Sequence, residues 1–391
     1  MIPLIKNAFL NEIETKKLLA DFIIKAPRLS MSEQCFEFEK EFSEYQGASH
    51  SILFNSGSSA NLAMIQALLN LGKLRKGDKV GFSALTWSTN VMPIIQLGLI
   101  PVPIDCEPLT LNVMSSQLLQ RLDDTELKVF FITNALGFSG DLTKIKSICD
   151  EKNIILLEDN CESLGTEIDE NKTGNFGLMS SCSFFVAHHM STIEGGMVCT
   201  NNYELAVMLK MVRANGWDRN LDAEDQNMLR KKFNIKSEFD AKYTFYDLGY
   251  NLRPTEITGF LGRNQLKLLE HNILKRNENH AALEPLVKDN PDLLNLNHEH
   301  LKRISSFSFT VVCKTKELRQ FYVSQFSGAG VELRPVIAGN MQAQPFYKKY
   351  VKDYFDLPGT QFIHDCGFYF GNYPELTSSD LQTLKSCLIK R

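Results

Sequence analysis

Between residues 50 and 200, short apolar runs alternate with amphipathic stretches, and this alternation restricts the possible folds of the 391-residue chain more than its other features do. Runs at 51–54, 79–82, 101–105, 129–133, 154–158, 183–187 and 197–200 have the length and composition of strands. Several are separated by helical patterns such as 60–71, where Leu62, Ile65, Leu68 and Leu69 recur at the helical period. Strands alternating with helices imply an α/β fold with a mostly parallel sheet covered on both faces. Ligands of such sheets bind outside the carboxyl ends of the strands.

The length calls for more than one minimal core. A large domain over 1–253 and a linking helix with a smaller α+β domain over 254–391 are expected. Segment 221–241 is polar and charged and reads as an excursion over the surface. A long helix is expected over 255–277, with Pro254 suited to its first turn. Farther on, 306–313 and 330–334 look like an antiparallel pair.

Composition excludes several functions. The formal net charge is -4 and the basic residues are scattered, so no stripe suits a nucleic-acid backbone or an anionic membrane. No uncharged apolar run approaches the roughly 18 residues of a membrane span. Met1-Ile2-Pro3-Leu4-Ile5-Lys6-Asn7 lacks the basic and apolar regions of a signal peptide. The nine cysteines are dispersed, with no CxC or CxxC pair. Reduced, mostly buried thiols in a cytoplasmic protein are therefore expected.

Five elements carry candidate chemistry. Asn55-Ser56-Gly57-Ser58-Ser59-Ala60-Asn61 follows a strand and opens a helix. Free amides there form either a phosphate cradle or a plain cap. Asp159 ends an apolar strand and is followed by Asn160-Cys161-Glu162; it is a carboxylate where an α/β ligand sits, or a cap for the next helix. Trp87, just past another strand, either stacks on a flat ring or belongs to the core. Gly249-Tyr250-Asn251-Leu252-Arg253-Pro254-Thr255-Glu256 has the residues of a tight turn before a helix. His188, with His189 beside it, lies between Ser183 and Glu194-Gly195-Gly196; a near-neutral imidazole is a proton shuttle at physiological pH.

These motifs together resemble the sugar aminotransferases of the DegT/DnrJ/EryC1 family over nearly the whole chain. The resemblance implies a fold type I, aspartate aminotransferase-like architecture that binds pyridoxal 5'-phosphate or its pyridoxamine form. It assigns Gly57, Ser58, Ser59 and Ser183 to the cofactor phosphate, and Trp87 to the ring face. Asp159 falls to the pyridine nitrogen and Glu162 to the ring hydroxyl, where the family usually has Gln. Asn251 would reach the phosphate of a neighbouring subunit, so a homodimer with shared sites is implied. The family's usual residue at position 188 is the Lys that binds the cofactor covalently. An imidazole cannot do so, and the change to His188 resembles the dehydratase branch.

Two further stretches resemble that branch, Glu332-Leu333-Arg334-Pro335-Val336-Ile337-Ala338-Gly339-Asn340 and Gly367-Phe368-Tyr369-Phe370-Gly371-Asn372. The implied reaction removes the C3 hydroxyl of a nucleotide-linked 4-keto-6-deoxy sugar in deoxysugar biosynthesis, with L-glutamate restoring the cofactor amine. Arg253 and Arg334 are candidates for binding a carboxylate or phosphate. A second branch with His at this position carries an iron–sulfur cluster on four cysteines, three of them close together. Here no Cys lies between Arg219 and Cys313, so no cluster is expected. An aminotransferase that tolerates His, or a non-catalytic binding protein on the same fold, are the alternatives.

Overall fold

Seven strands build the central sheet: β1 (His50–Phe54), β2 (Lys79–Ser83), β3 (Ile100–Ile104), β4 (Val129–Thr133), β5 (Ile155–Asp159), β6 (Met179–Ser183) and β7 (Gly196–Thr200). The structure is a computed structural model and describes residues 1–390. Their order across the sheet is β1-β7-β6-β5-β4-β2-β3. The run from β6 to β3 is parallel, and β7 pairs antiparallel with both β6 and β1. Both faces are buried. Along β4, Val129 and Phe131 join one core cluster, while Phe130 and Ile132 join another on the opposite side. Helix α3 (Gly57–Asn70), preceded by α1 (Glu12–Lys25) and α2 (Glu33–Gln46), contributes Ala60, Ala63, Met64 and Ala67 to the first cluster.

A second, three-stranded sheet holds β8 (Ser308–Val312), β9 (Leu333–Pro335) and β10 (Gly367–Gly371) in the order β8-β10-β9. Both outer strands run antiparallel to β10. The two segments expected to pair directly are thus separated by a strand from much later in the chain. The first residues also reach this sheet, with the Ile2 amide donating to the Gly330 carbonyl at 2.8 Å.

Three local expectations are corrected. The strand placed at 183–187 runs instead over Met179–Ser183, a run of small and polar residues buried along its whole length. Phe184 leaves the sheet because its ring packs against Phe38 and Phe42 of α2, at centroid distances of 5.3 Å each. The long helix is two: α4 (Glu256–Leu266), capped by Thr255, and α5 (Leu269–Lys288). The Leu268 amide donates to Gln265 O three residues back, and this tighter turn separates them. Pro254 therefore precedes the cap instead of sitting in the first turn. Segment 221–241 contains helices Ala223–Lys232 and Glu238–Ala241. The first is stabilised at its ends: Asp222 accepts from the Asp225 amide, and Arg230, Lys231 and Lys232 lie at the negative end of the helix dipole.

Candidate active site

Beyond the carboxyl ends of β5 and β6 lies a cavity of about 360 Å³. One end of it is the start of α3. Ser56 caps the helix, its Oγ accepting from the Ser59 amide at 3.1 Å. The Ser59 hydroxyl is committed to Asn55 Oδ1 at 2.6 Å. The Gly57 and Ser58 amides find no acceptor among the described residues, and both residues line the cavity. A Cβ at position 57 would stand 2.7 Å from Ser183 Cβ, so glycine lets the helix begin directly against the end of β6. Unpaired amides at a helix N-terminus are an anion site.

Asp159, at the end of β5, is buried and strongly oriented. One carboxylate oxygen accepts from Asn61 Nδ2 at 3.0 Å and Asn90 Nδ2 at 2.7 Å, and the other from the Cys161 amide at 2.9 Å. A carboxylate has about four acceptor sites, so room remains for a donor from the cavity. Glu158 points the other way. It accepts from Asn134 Nδ2 and from the amides of Gly174, Phe176 and Gly177, and so holds a loop.

His188 lies in the turn between β6 and β7. Its Nδ1 is 2.8 Å from the Cys161 carbonyl. A carbonyl only accepts, so Nδ1 carries the proton, and Nε2 of the neutral ring keeps its lone pair. Burial lowers the His188 pKa to about 4, against the Cys161 contact and the Asp159 charge, with the Arg276 guanidinium adding to the lowering. Behind the ring, Arg276 of α5 donates to the carbonyls of His188 at 3.3 Å and Phe307 at 2.6 Å. Asn272 of α5 donates to the His189 carbonyl. The His189 ring turns away from the cavity and meets the Ser305 carbonyl through Nε2 at 2.9 Å.

Glu162 accepts from the Leu136 amide at 3.0 Å. Burial raises its pKa to about 8, the Leu136 contact opposing and Asp159 reinforcing the shift. Burial and Glu162 together raise Tyr369 to about 12. Two backbone strains flank this wall: Leu136 at φ 61° and Ile337, which lines the cavity, at φ 26°. Both lie in the left-handed region that non-glycine residues rarely adopt.

The cavity thus brings together Gly57, Ser58, Trp87, Asp159, Glu162, Ser183 and His188. Ser59, Asn251, Arg253 and Arg334 do not line it. Arg334 is paired with Glu332 at 2.6 Å, although it sits opposite cavity-lining Tyr369 in the β9–β10 register. Sequence reasoning missed Asn61 and Asn90 as partners of Asp159, and Asn272 and Arg276 as the clamp on the histidine turn. Asn61 lay within a motif already singled out; the others carried no local signal. The residues present fit the cofactor: unpaired amides for a phosphate, a carboxylate with spare acceptor capacity for a ring nitrogen, and an aromatic at the rim.

Fold and site define a fold type I pyridoxal-phosphate enzyme. The model of the DegT/DnrJ/EryC1/StrS aminotransferase family matches residues 12–388, and the chain belongs to that family. The GDP-4-keto-6-deoxy-D-mannose 3-dehydratase of Yersinia pseudotuberculosis is 33% identical over 378 residues, covering 94% of each chain. A lipopolysaccharide biosynthesis protein of Salmonella typhimurium is 33% identical over 363 residues, 89% of this chain and 83% of that one. A crystal structure of GDP-4-keto-6-deoxymannose-3-dehydratase with a trapped PLP-glutamate geminal diamine superposes with a TM-score of 0.90 at 30% identity, covering 99% of this chain and 100% of that one.

Proposed function

We propose that this protein removes the C3 hydroxyl of a nucleotide-linked 4-keto-6-deoxyhexose, with L-glutamate as the source of the cofactor amine. The observation that carries this reading is His188: a neutral imidazole with a free Nε2 at the position where the family's aminotransferases have a covalent Lys. Bound as pyridoxamine phosphate, the cofactor supplies the amine that meets the sugar ketone and the ring that accepts electrons.

The chain's own residues supply position and proton transfer. The α3 amides and Ser58 bind the phosphate. Asp159, held by its three donors, keeps the ring nitrogen protonated. Trp87 covers one ring face. His188 Nε2 takes a proton as base and can return it to the departing C3 hydroxyl. Glu162, with its raised pKa, offers a protonated carboxyl beside the ring hydroxyl at neutral pH. Arg334, beside Tyr369, and Arg253 are assigned to anionic groups of substrate or glutamate.

The test is product analysis by mass spectrometry, starting with GDP-4-keto-6-deoxy-D-mannose and extending to other nucleotides. The sugar should lose one oxygen while glutamate becomes 2-oxoglutarate and ammonia is released. An amino sugar formed without free ammonia would identify an aminotransferase instead.

We also propose a closed homodimer in which the Asn251 loop enters the partner's site. Asn251 is exposed, and the residues leading to it include exposed Phe239, Tyr243, Phe245 and Leu248, apolar side chains suited to an interface. Mixing Asn251→Asp with His188→Asn proteins should restore activity, because heterodimers gather both lesions into one site. No recovery after demonstrated subunit exchange refutes the shared site. A cytoplasmic location is proposed on the nine unpaired cysteines, and recovery in an exported fraction would refute it. Among the described residues, no helix is long and apolar enough to cross a membrane.

A further inference from the structure

Three metal-binding side chains meet where α5 passes the segment that follows it. His280 and Glu284 stand one turn apart on the same face of α5, and His298 comes from the chain beyond the helix. One ligand atom from each lies within 4.8 Å of the others. His298 Nε2 is already 2.9 Å from Glu284 Oε1.

The hydrogen bonds around His280 fix its tautomer. His280 is 6% exposed, and its Nδ1 is 3.1 Å from Ser306 Oγ. That hydroxyl donates to the Ser308 carbonyl at 3.2 Å and accepts from Asn372 Nδ2 at 3.0 Å. Its one proton is thereby committed, so His280 Nδ1 is the donor in their contact. Nε2 is left with a lone pair and no hydrogen-bond partner among the described residues. A buried imidazole whose other nitrogen donates to an oriented acceptor is the usual arrangement of a metal-ligating histidine. Burial also keeps this ring neutral, its pKa lowered to about 4.

We propose that His280, Glu284 and His298 form a binding site for a divalent transition-metal ion such as zinc, with water in the fourth position. Bonds of about 2 Å in a tetrahedral site put ligand atoms about 3.3 Å apart, so on binding the His298–Glu284 pair parts slightly from 2.9 Å while the wider gaps, within 4.8 Å, close. Lys288, 3.3 Å from Glu284 Oε1 and half-exposed, is the cation the metal displaces. The ion would tie α5 to the following segment. The Phe138 ring lies against both histidines, with centroids 5.9 Å and 5.8 Å away. Phe138 belongs to the same loop as Leu136, whose amide holds Glu162. The site is therefore a clip one loop removed from the catalytic cavity.

The experiment uses untagged, cofactor-loaded enzyme stripped with a chelator. Zn2+ is titrated against a chromophoric competitor, and Co2+ is followed by visible absorption. Wild type should bind one equivalent and gain thermal stability, and its Co2+ form should show a tetrahedral ligand-field band. His298→Ala, at a side chain 27% exposed and so tolerant of truncation, should lose the band and bind Zn2+ at least tenfold more weakly. Ser306→Ala should weaken binding by about 10–100-fold through the lost orientation of His280. Absence of saturable binding to wild type, or equal affinity in His298→Ala, overturns the site.

Discussion

The floor and the rim of the cavity are built on opposite principles. On the floor every functional group is fixed from behind: Asp159 by two asparagines and a backbone amide, His188 by the Cys161 carbonyl, and the histidine turn by Arg276 and Asn272. The rim is open, with Trp87 57% exposed and Phe185, Ser58 and Glu194 also exposed. The floor is ordered before any ligand arrives, as electrostatic catalysis requires.

This contrast predicts where damage is severe. His188→Asn should bind cofactor normally but lower kcat by about 10²–10⁴, the usual contribution of a positioned acid–base. The pH profile sharpens the point. With a pKa lowered to about 4, the ring is the free base above that pH, so activity governed by His188 persists through pH 6 and falls only toward pH 4. An acid limb centred near 6.5 would mean that the floor does not hold the imidazole neutral. Borohydride treatment of resting enzyme should leave no pyridoxyl adduct on any lysine, which mass spectrometry of the digested protein checks.

Glu162 tests the floor through stability. Its pKa rises on folding from 4.5 to about 8, so the folded state holds a proton that the unfolded state releases. The resulting stabilisation is complete below pH 4.5 and is lost as pH climbs to about 8. It amounts to on the order of 5 kcal/mol. Glu162→Gln can still accept from the Leu136 amide but does not titrate. Wild type should lose stability relative to this variant between pH 5 and 8.5 in denaturant melts; parallel curves would show that Glu162 is solvated and belongs with the rim.

How much of this was legible in sequence follows the same division. Strands β1 to β5 were readable because each is an apolar run beside an amphipathic helix, and Asp159 and His188 stand at strand ends or in a turn. β6 was misplaced because Met179–Ser183 carries little apolar signal; its burial comes from strands on either side. The insertion of β10 between β8 and β9 is a long-range pairing with no local mark. Asn90 and Arg276 were invisible for a related reason: each acts on a residue 69 and 88 positions away, respectively.

The smallest effect is expected at the rim. Trp87→Ala should weaken cofactor binding by about 2–12-fold, the equivalent of the 0.5–1.5 kcal/mol that an aromatic pair contributes beyond its buried area. Trp87→Phe should recover most of that loss. Thermal stability of the free chain should hardly move, since a side chain this exposed supports little of the fold. Cofactor titration by absorbance and a melting curve on the same samples separate the two effects. If Trp87→Ala lowers the melting point as much as a core truncation does, the rim is already packed in the free protein. The contrast between an ordered floor and an open rim would then fail.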